Sequence, residues 1–493
     1  VVSSGDLWVI VPLICLLAGA FSIYLIARLV TPRNEVLALL TTGIFAAALV
    51  ALLELGRRSN QARRLGLPGL IWGNHSPNGA ALQADAGAIV ISTVAVALGL
   101  CVALYCGRYL ALDHRYKVTY PLLLLLVAGL MGMVMATDLF GLYLSCELMS
   151  VTAYVLVAFR RHTDTAVEAG FKYLIMGSVG TLTLLMGMTL VYRETGSLAL
   201  QQAIDTPGPW AMAGLACMLA GLGLKSAIVP GHTWLPDAHG RAPSSVSAML
   251  SGIVIQSTFY AWLKVSLGLG YPAESLGTLL MLLSVLNMTV GNCLALVQTH
   301  TKRLLAYSTI AQMGYVMFAI GVGLRYDLPG AIQAGFFLMV AHAAMKGLAF
   351  LSKGICHFYL HTTLIDELRG TSQRLPLVAA TFTLALASLA GIPPLAGFAG
   401  KWFILAQVLQ TRDWATTAGL AVFLANTVLS LAYYLPLIAT LFSSPDPAVD
   451  TTGVRISGWM AIPVVVLGLL VLAIGLWPGP WMEWTGHLIT TVR

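Results

Sequence analysis

The chain has 493 residues, of which 58% are hydrophobic and only 10% charged, with a formal net charge of +7. Water-soluble domains carry about 25% charged residues, and 27 basic and 20 acidic side chains cannot cover a chain of this length in water. Lipid must replace much of that water, which excludes a soluble enzyme, a secreted disulfide scaffold and a nucleic-acid-binding module.

In chain order, the first apolar stretch, 7–30, is longer than a signal-peptide core and has no basic region before it, so it is expected to be a retained membrane span. Windows of about 20 apolar residues match a hydrocarbon core of roughly 30 Å. About fourteen tile the sequence, at 7–30, 36–56, 84–108, 118–136, 138–158, 168–192, 210–236, 243–267, 275–297, 303–324, 329–352, 374–408, 414–442 and 458–478. The expected fold is an all-α polytopic membrane protein. The seven cysteines (Cys15, Cys101, Cys106, Cys146, Cys217, Cys293, Cys356) show no CxxC pair and no His/Cys ligand spacing, so neither a disulfide framework nor a metal site is expected. No nucleotide loop, flavin motif or cluster-ligand pattern occurs, and no cofactor and no catalytic site are expected in this chain.

Arg108, Arg115, Lys117, Arg160, Arg161, Lys302, Arg303, Arg369 and Arg374 favour one side of the membrane, against Arg57, Arg58, Arg63 and Arg64 on the other. The positive-inside rule then places both termini outside. Two of the windows are interrupted, at Pro230-Gly231 and at Gly391-Ile392-Pro393-Pro394. Proline removes a backbone donor, and freed carbonyls at membrane depth are tolerated only beside protein or water.

Glu168-Ala-Gly-Phe-Lys172 resembles His342-Ala-Ala-Met-Lys346 at an offset of 174, and Lys225 and Lys401, in the two interrupted windows, lie 176 apart. The shared offset predicts a five-helix unit used twice, and because five is odd the copies are inverted. The expected organisation is helices one to three at 1–117, a first repeat at 118–268, a second at 269–443, each with a broken helix, and a last span within 444–493. One mismatch is that Lys225 precedes its proline break whereas Lys401 follows its own.

An ionisable side chain at the bilayer centre costs roughly 2.5–3.5 kcal/mol on insertion scales, so each must have a reason. Glu147, Lys225, Lys346 and Lys401 are the least avoidable, and His342 lies one turn from Lys346 on the same face. Lys172, Glu54, Asp85, Lys264 and Lys353 fall near span ends, where long side chains reach the interface. His232 and His239 follow the first break.

Lys225 to Gly252, KSAIVPGHTWLPDAHGRAPSSVSAMLSG, resembles the signature of the antiporter-like membrane subunits shared by respiratory complex I, Mrp-type cation/proton antiporters and membrane-bound hydrogenases. KRLLAYSTIAQMGY (Lys302 to Tyr315), HAAMKGLAF (His342 to Phe350) and SLAGIPPLAGFAGKW (Ser388 to Trp402) resemble the same family, as do Asp85 and the Asp138 to Glu147 segment, so the likeness covers roughly 80–443. The resemblance implies that Glu147 and Lys225 gate a first proton half-channel, that His342 and Lys346 belong to a central hydrophilic axis, and that Lys401 ends a second half-channel. A lysine at position 401 is similar to the complex I N-type and Mrp D subunits, and the lack of a long lateral helix after the fourteenth span argues against the longest, L-type member. The family's usual lysine in the eighth span is Gln256 here, which hydrogen-bonds but does not titrate, leaving His232, His239, Gln256 and Lys264 as candidate relays. His300 stands where the family commonly has an acidic residue.

The leading reading is therefore a proton-translocating subunit of a larger complex in the cell inner (plasma) membrane or an equivalent energy-transducing membrane. Its expected partners are other integral membrane subunits, lipid, and protons with sodium left open, and no nucleic acid. The rivals are a non-conducting anchor whose axis is broken at Gln256 and a stand-alone carrier of an organic solute.

Overall fold

The computed structural model describes residues 6–64, 70–73, 79–111, 113, 115–160, 163–200, 208–445 and 453–486. It is almost wholly helical, because a backbone surrounded by lipid must satisfy its own polar groups. A 3-10 turn at Leu7–Val9 leads into α1 (Val11–Leu29) and α2 (Asn34–Arg64), and a hairpin of β1 (Leu70–Gly73) and β2 (Ala81–Ala84) leads into α3 (Ala86–Tyr109). Then come α4 (Tyr116–Met135), α5 (Leu139–Val157), α6 (Asp164–Thr195), α7 (Pro209–Lys225) and α8 (Trp234–Arg241). The next pass is one helix in three parts: α9 (Ser244–Met249), a π-helical turn at Leu250–Val254 and α10 (Ile255–Gly268). The remainder is α11 (Ala273–Leu296), α12 (Thr301–Arg325), α13 (Pro329–Leu360), α14 (Thr371–Arg374), α15 (Pro376–Ala390), α16 (Ala396–Val408), α17 (Trp414–Phe442), α18 (Gly458–Leu476) and α19 (Pro478–Gly486).

Among the described residues, twelve helices are long and apolar enough to cross a membrane. The other two expected passes are the interrupted ones, α7–α8 and α15–α16, which part at the prolines. Helix ends differ from the apolar windows where polar residues continue the helix. α2 runs on past 56, with Glu54 paired to Arg57 and Arg58 at 2.8 Å within the next turn. The hairpin and the π turn have no signature in hydrophobic periodicity. Gly73, at φ 120, adopts a conformation that side chains other than hydrogen rarely allow.

Burial sorts the helices. The α9–α10 pass, α12 and α13 are enclosed nearly throughout, whereas α1, α2, α6 and α17 turn apolar side chains such as Phe21, Val50, Leu182 and Val428 outward, as lipid-facing helices do. α13 is the hub, packing on α3, α9, α12, α15, α16 and α18. Small residues let backbones meet where no hydrophobic force drives helix pairing. A Cβ at Gly129 of α4 would fall 2.6 Å from the Met149 nitrogen of α5, and one at Gly291 of α11 would fall 2.6 Å from the Ala311 nitrogen of α12.

One end of the bundle gathers most of the basic residues. Arg160 pairs with Asp113 at 3.0 Å, Arg108 lies 5.8 Å from the Phe358 ring, and Lys302 and Arg303 open α12. At the opposite end Arg58 stacks 4.4 Å over Trp8. Arg161 lies outside the described residues, as do the side chains of Arg63 and Arg64.

Candidate functional site

The breaks put amines against helix ends. Lys225 is the last residue of α7; it is buried and donates to Ser150 Oγ at 2.6 Å and to Tyr154 OH at 3.4 Å, both on α5. Glu147 lies one turn before Ser150 on α5 and keeps a buried carboxylate oxygen with no hydrogen-bond partner among the described residues. No ion pair joins it to Lys225 there, so the amine rests on hydroxyls instead. At this break the Val229 N–H donates to Asn287 Oδ1 of α11 at 2.8 Å, and His232 leaves Nδ1 unbonded.

At the second break Lys401, on α16, reaches back to the C-terminal carbonyls of α15, Ala390 O at 3.2 Å and Leu389 O at 3.4 Å. An ammonium there meets the negative end of a helix and the orphan acceptors that the break exposes. Its other face lies 4.7 Å from the centre of the Tyr315 ring. Gly391, at φ 90, closes α15 beside it, where a Cβ would stand 3.4 Å from the ammonium nitrogen.

Between the breaks, α13 presents His342 and Lys346 to the interior. Lys346 is wholly buried and donates to Leu305 O at 2.7 Å and to the Ser308 hydroxyl, both on α12. Gln256 Nε2 meets His342 Nδ1 at 2.6 Å, leaving His342 Nε2 buried and unpaired. An amide nitrogen only donates, so Nδ1 accepts and Nε2 carries the ring proton. The π turn precedes Gln256, and its Ser251 hydroxyl meets Thr309 Oγ1 at 2.6 Å. His239, at 0% exposure, is stacked 4.9 Å from Phe350, with neither ring nitrogen bonded among the described residues.

Several residues here escaped sequence reasoning. Ser308, Gln312 and Tyr315 lie three to four residues apart on one face of α12; Gln312 Nε2 donates to Leu389 O at 2.9 Å, the carbonyl that Lys401 also approaches. The Tyr434 hydroxyl of α17 lies beside Ser308 and Gln312. Ser308, which Lys346 meets, and Gln312, which shares the Leu389 carbonyl with Lys401, thus stand on one face of α12, while the Tyr434 hydroxyl is buried without a hydrogen-bond partner among the described residues. The i, i+4 spacing of Ser308 and Gln312 inside KRLLAYSTIAQMGY puts them on one helix face but does not say which group that face meets. Asn292, Asn426 and Tyr433 form a further buried cluster beside Tyr315, with Asn292 Nδ2 3.0 Å from Asn426 Oδ1 and Tyr433 OH donating to Asn292 Oδ1 at 2.8 Å.

Lys264 stands eight residues beyond Gln256 on α10, about 12 Å along the axis. It donates to Val134 O at 2.9 Å and lies 3.6 Å from Asp85, whose carboxylate also caps α3 through the Ala88 N–H at 2.7 Å and accepts from Tyr260 at 3.1 Å. The structure thus holds Lys264 in an anchoring pair at a helix junction and does not bring it to Lys346. Asp85→Ala is expected to destabilise the protein by about 3–5 kcal/mol, as when one partner of a buried pair is removed, with the lost cap adding about 1. Thermal unfolding of the purified chain reads this; a shift no larger than that of an exposed substitution would contradict it.

His300 precedes α12 at the basic end. Burial, then the charges of Lys302, Lys353, Arg241 and Arg303, lower its pKa to about 4 from an ordinary 6.5. The unfolded chain therefore binds more protons than the folded one between pH 6.5 and about 4, so stability present above 6.5 is lost as pH falls through that window. His300→Asn is expected to flatten this part of the stability curve, measured by unfolding at stepped pH.

Comparison with known proteins follows the same geometry. Residues 136–430 match the family model described as NADH:quinone oxidoreductase/Mrp antiporter, TM. The chain is 31% identical over 419 residues to F(420)H(2) dehydrogenase subunit N of Methanosarcina mazei, covering 82% of this chain and 83% of that protein. It is 31% identical over 400 residues to NADH-quinone oxidoreductase subunit N of Desulforamulus reducens, covering 80% and 81%. A chain in the structure of the Mrp complex from Dietzia sp. superposes with a TM-score of 0.86 at 22% identity over 98% of this chain and 97% of that one, a likeness of fold.

Proposed function

The chain belongs to the NADH:quinone oxidoreductase/Mrp antiporter transmembrane family, and from that premise we propose that it moves protons across an energy-transducing plasma membrane as one membrane subunit of a larger complex. The observation that carries this reading is the set of three buried amines, Lys225, Lys346 and Lys401, held by hydroxyls and carbonyls, with no stabilising carboxylate set at Lys346 or Lys401 among the described residues. Amines isolated in this way raise the energy of the fold, and they are retained in membranes where a proton path uses them. Glu147 and Lys225 form the first gate, His342 and Lys346 the midplane relay with His239 and Gln256 beside it, and Lys401 the end of the second half-channel. The relatives' names, each that of a lettered subunit, support membership of a multi-subunit membrane complex.

Two inverted halves, 118–268 and 269–443, organise the path. Asp138 before α5 bridges Ala199 after α6, and His300 before α12 bridges Leu364 after α13. Asp138 and His300 are 162 residues apart, as are Gly129 and Gly291, and Met149 and Ala311. Asp138 lies at the end of the bundle that carries the hairpin and His300 at the basic end, which supports inversion.

Proton flux into proteoliposomes holding the complete complex tests the reading, with wild type, Lys225→Ala and Gln256→Lys compared. Loss of flux in Lys225→Ala is expected. A non-conducting anchor would leave all three alike, and a solute carrier would transport a small molecule with the chain purified alone.

A further inference from the structure

At the basic end of the bundle a cavity of about 250 Å³ opens between the start of α6, α8 and the start of α12. It is lined by charge: Lys172 pairs with Glu168 at 2.7 Å and Asp237 at 3.5 Å, Arg303 pairs with Asp237 at 2.7 Å, and Arg241 completes the wall. Glu168 and Lys172 are 61% and 51% exposed on a helix whose neighbouring Phe171 and Leu174 face lipid. Glu168 and Lys172 stand about 6 and 12 Å along α6; half-exposed charges on a membrane helix are hydrated, and the cavity has room for several waters at about 30 Å³ each.

Three aromatic rings lie on the segments that line this cavity and lead from them toward Lys225. Tyr173, next to Lys172 in sequence, stacks on Trp234 with centroids 4.1 Å apart and planes 3° apart, and Trp234 lies one turn before Asp237. Tyr154 meets Tyr173 edge-on at 4.6 Å, and its hydroxyl accepts from Lys225 at 3.4 Å. Trp234 Nε1 donates to Leu224 O at 3.0 Å, tying the stack to the residue before Lys225. Gly177, one turn after Tyr173, makes room for the Tyr154 hydroxyl, where any Cβ would collide. The aromatic stack thus joins the segments that line the charged cavity to those that hold the amine.

We propose that this cavity is the aqueous mouth from which Lys225 exchanges its proton, and that Trp234, Tyr173 and Tyr154 are the barrier across it. Swinging one ring aside lets water reach Ser150 and the ammonium; hydronium delivers a proton to the free amine, or water accepts one from the ammonium, with no other reactant. The inference rests on the transport reading above and adds the place and gate of its first step.

The test substitutes Thr165, which lines the cavity and is exposed, by cysteine. The full complex carrying Thr165→Cys is reconstituted and treated with a bulky, membrane-impermeant charged maleimide, with wild type treated alike because Cys293 is exposed. Modification is expected to bring flux in Thr165→Cys down to the residual rate of Lys225→Ala, with treated wild type unaffected. In parallel, Tyr173→Ala is expected to raise passive proton leak several-fold in a manner abolished by adding Lys225→Ala, while Tyr173→Phe keeps the wild-type leak. Complete labelling of the Thr165→Cys variant with undiminished flux, or failure of its introduced thiol to react, overturns the mouth; an unchanged leak in Tyr173→Ala overturns the barrier. Absence of flux in untreated wild type would instead defeat the transport reading itself.

Discussion

Lys346→Met is expected to stop proton transfer between the two halves while leaving the bundle folded. The amine is wholly buried, is held by Leu305 O and the Ser308 hydroxyl, and has no carboxylate partner among the described residues. Methionine has nearly the same length without the charge, so the desolvation penalty disappears. Replacing a buried ionic group by an apolar one of like volume is often neutral or stabilising by about 1–4 kcal/mol. The hydroxyl left behind is not orphaned, because Ser308 already donates to Leu305 O at 2.8 Å. Flux should fall by roughly 10²–10⁴, the range associated with removing a positioned proton-transfer group. Flux and thermal unfolding measured on the same preparation separate the two effects, and flux within a few-fold of wild type would remove Lys346 from the path.

Gln256→Leu is expected to slow transport about tenfold, the equivalent of one hydrogen bond of about 1.4 kcal/mol in the transition state. Its amide fixes the His342 ring through Nδ1 at 2.6 Å and leaves Nε2 free to exchange a proton. An amide can also turn its carbonyl toward the ring, so it accommodates Nδ1 with or without a proton. Leucine offers neither face, and a buried imidazole nitrogen left unbonded costs about 1–3 kcal/mol. Gln256→Lys places an ionisable amine at the same point and is expected to retain flux. Equal rates for glutamine and leucine would show that the ring needs no such support.

Much of the candidate site is legible in the sequence alone. Lys225, Lys346 and Lys401 stand out because hydrocarbon penalises each of them singly, and the prolines at 230 and 393–394 announced the breaks beside two of them. Ser308, Gln312 and Tyr434 were not legible. Hydroxyls and amides are tolerated in membrane helices for local reasons, so nothing distinguishes one that bonds its own preceding turn from one that faces a buried amine. The partner of Lys225 was likewise undetermined: Glu147 and Ser150 are one turn apart on α5, and the rotation of that helix sends the ammonium to the serine. Lys264 is a candidate relay in the sequence because Gln256 replaces the family's lysine, and only the approach of the start of α3 to the end of α4 shows it held by Asp85 and Val134.

The sequence by itself determined the solvent, the helical fold, the two interruptions and the identity of the charges that need an explanation. These follow from transfer energies that act residue by residue. Tertiary structure alone decided which groups meet. Hydrogen bonds act over about 3 Å, and the separations that matter span helices distant in sequence: Gln256 with His342, Lys346 with α12, Lys401 with the end of α15. The charged cavity belongs to the same class, since the packing of three helices and not the order of residues along any one of them gathers Lys172, Asp237 and Arg303 around it.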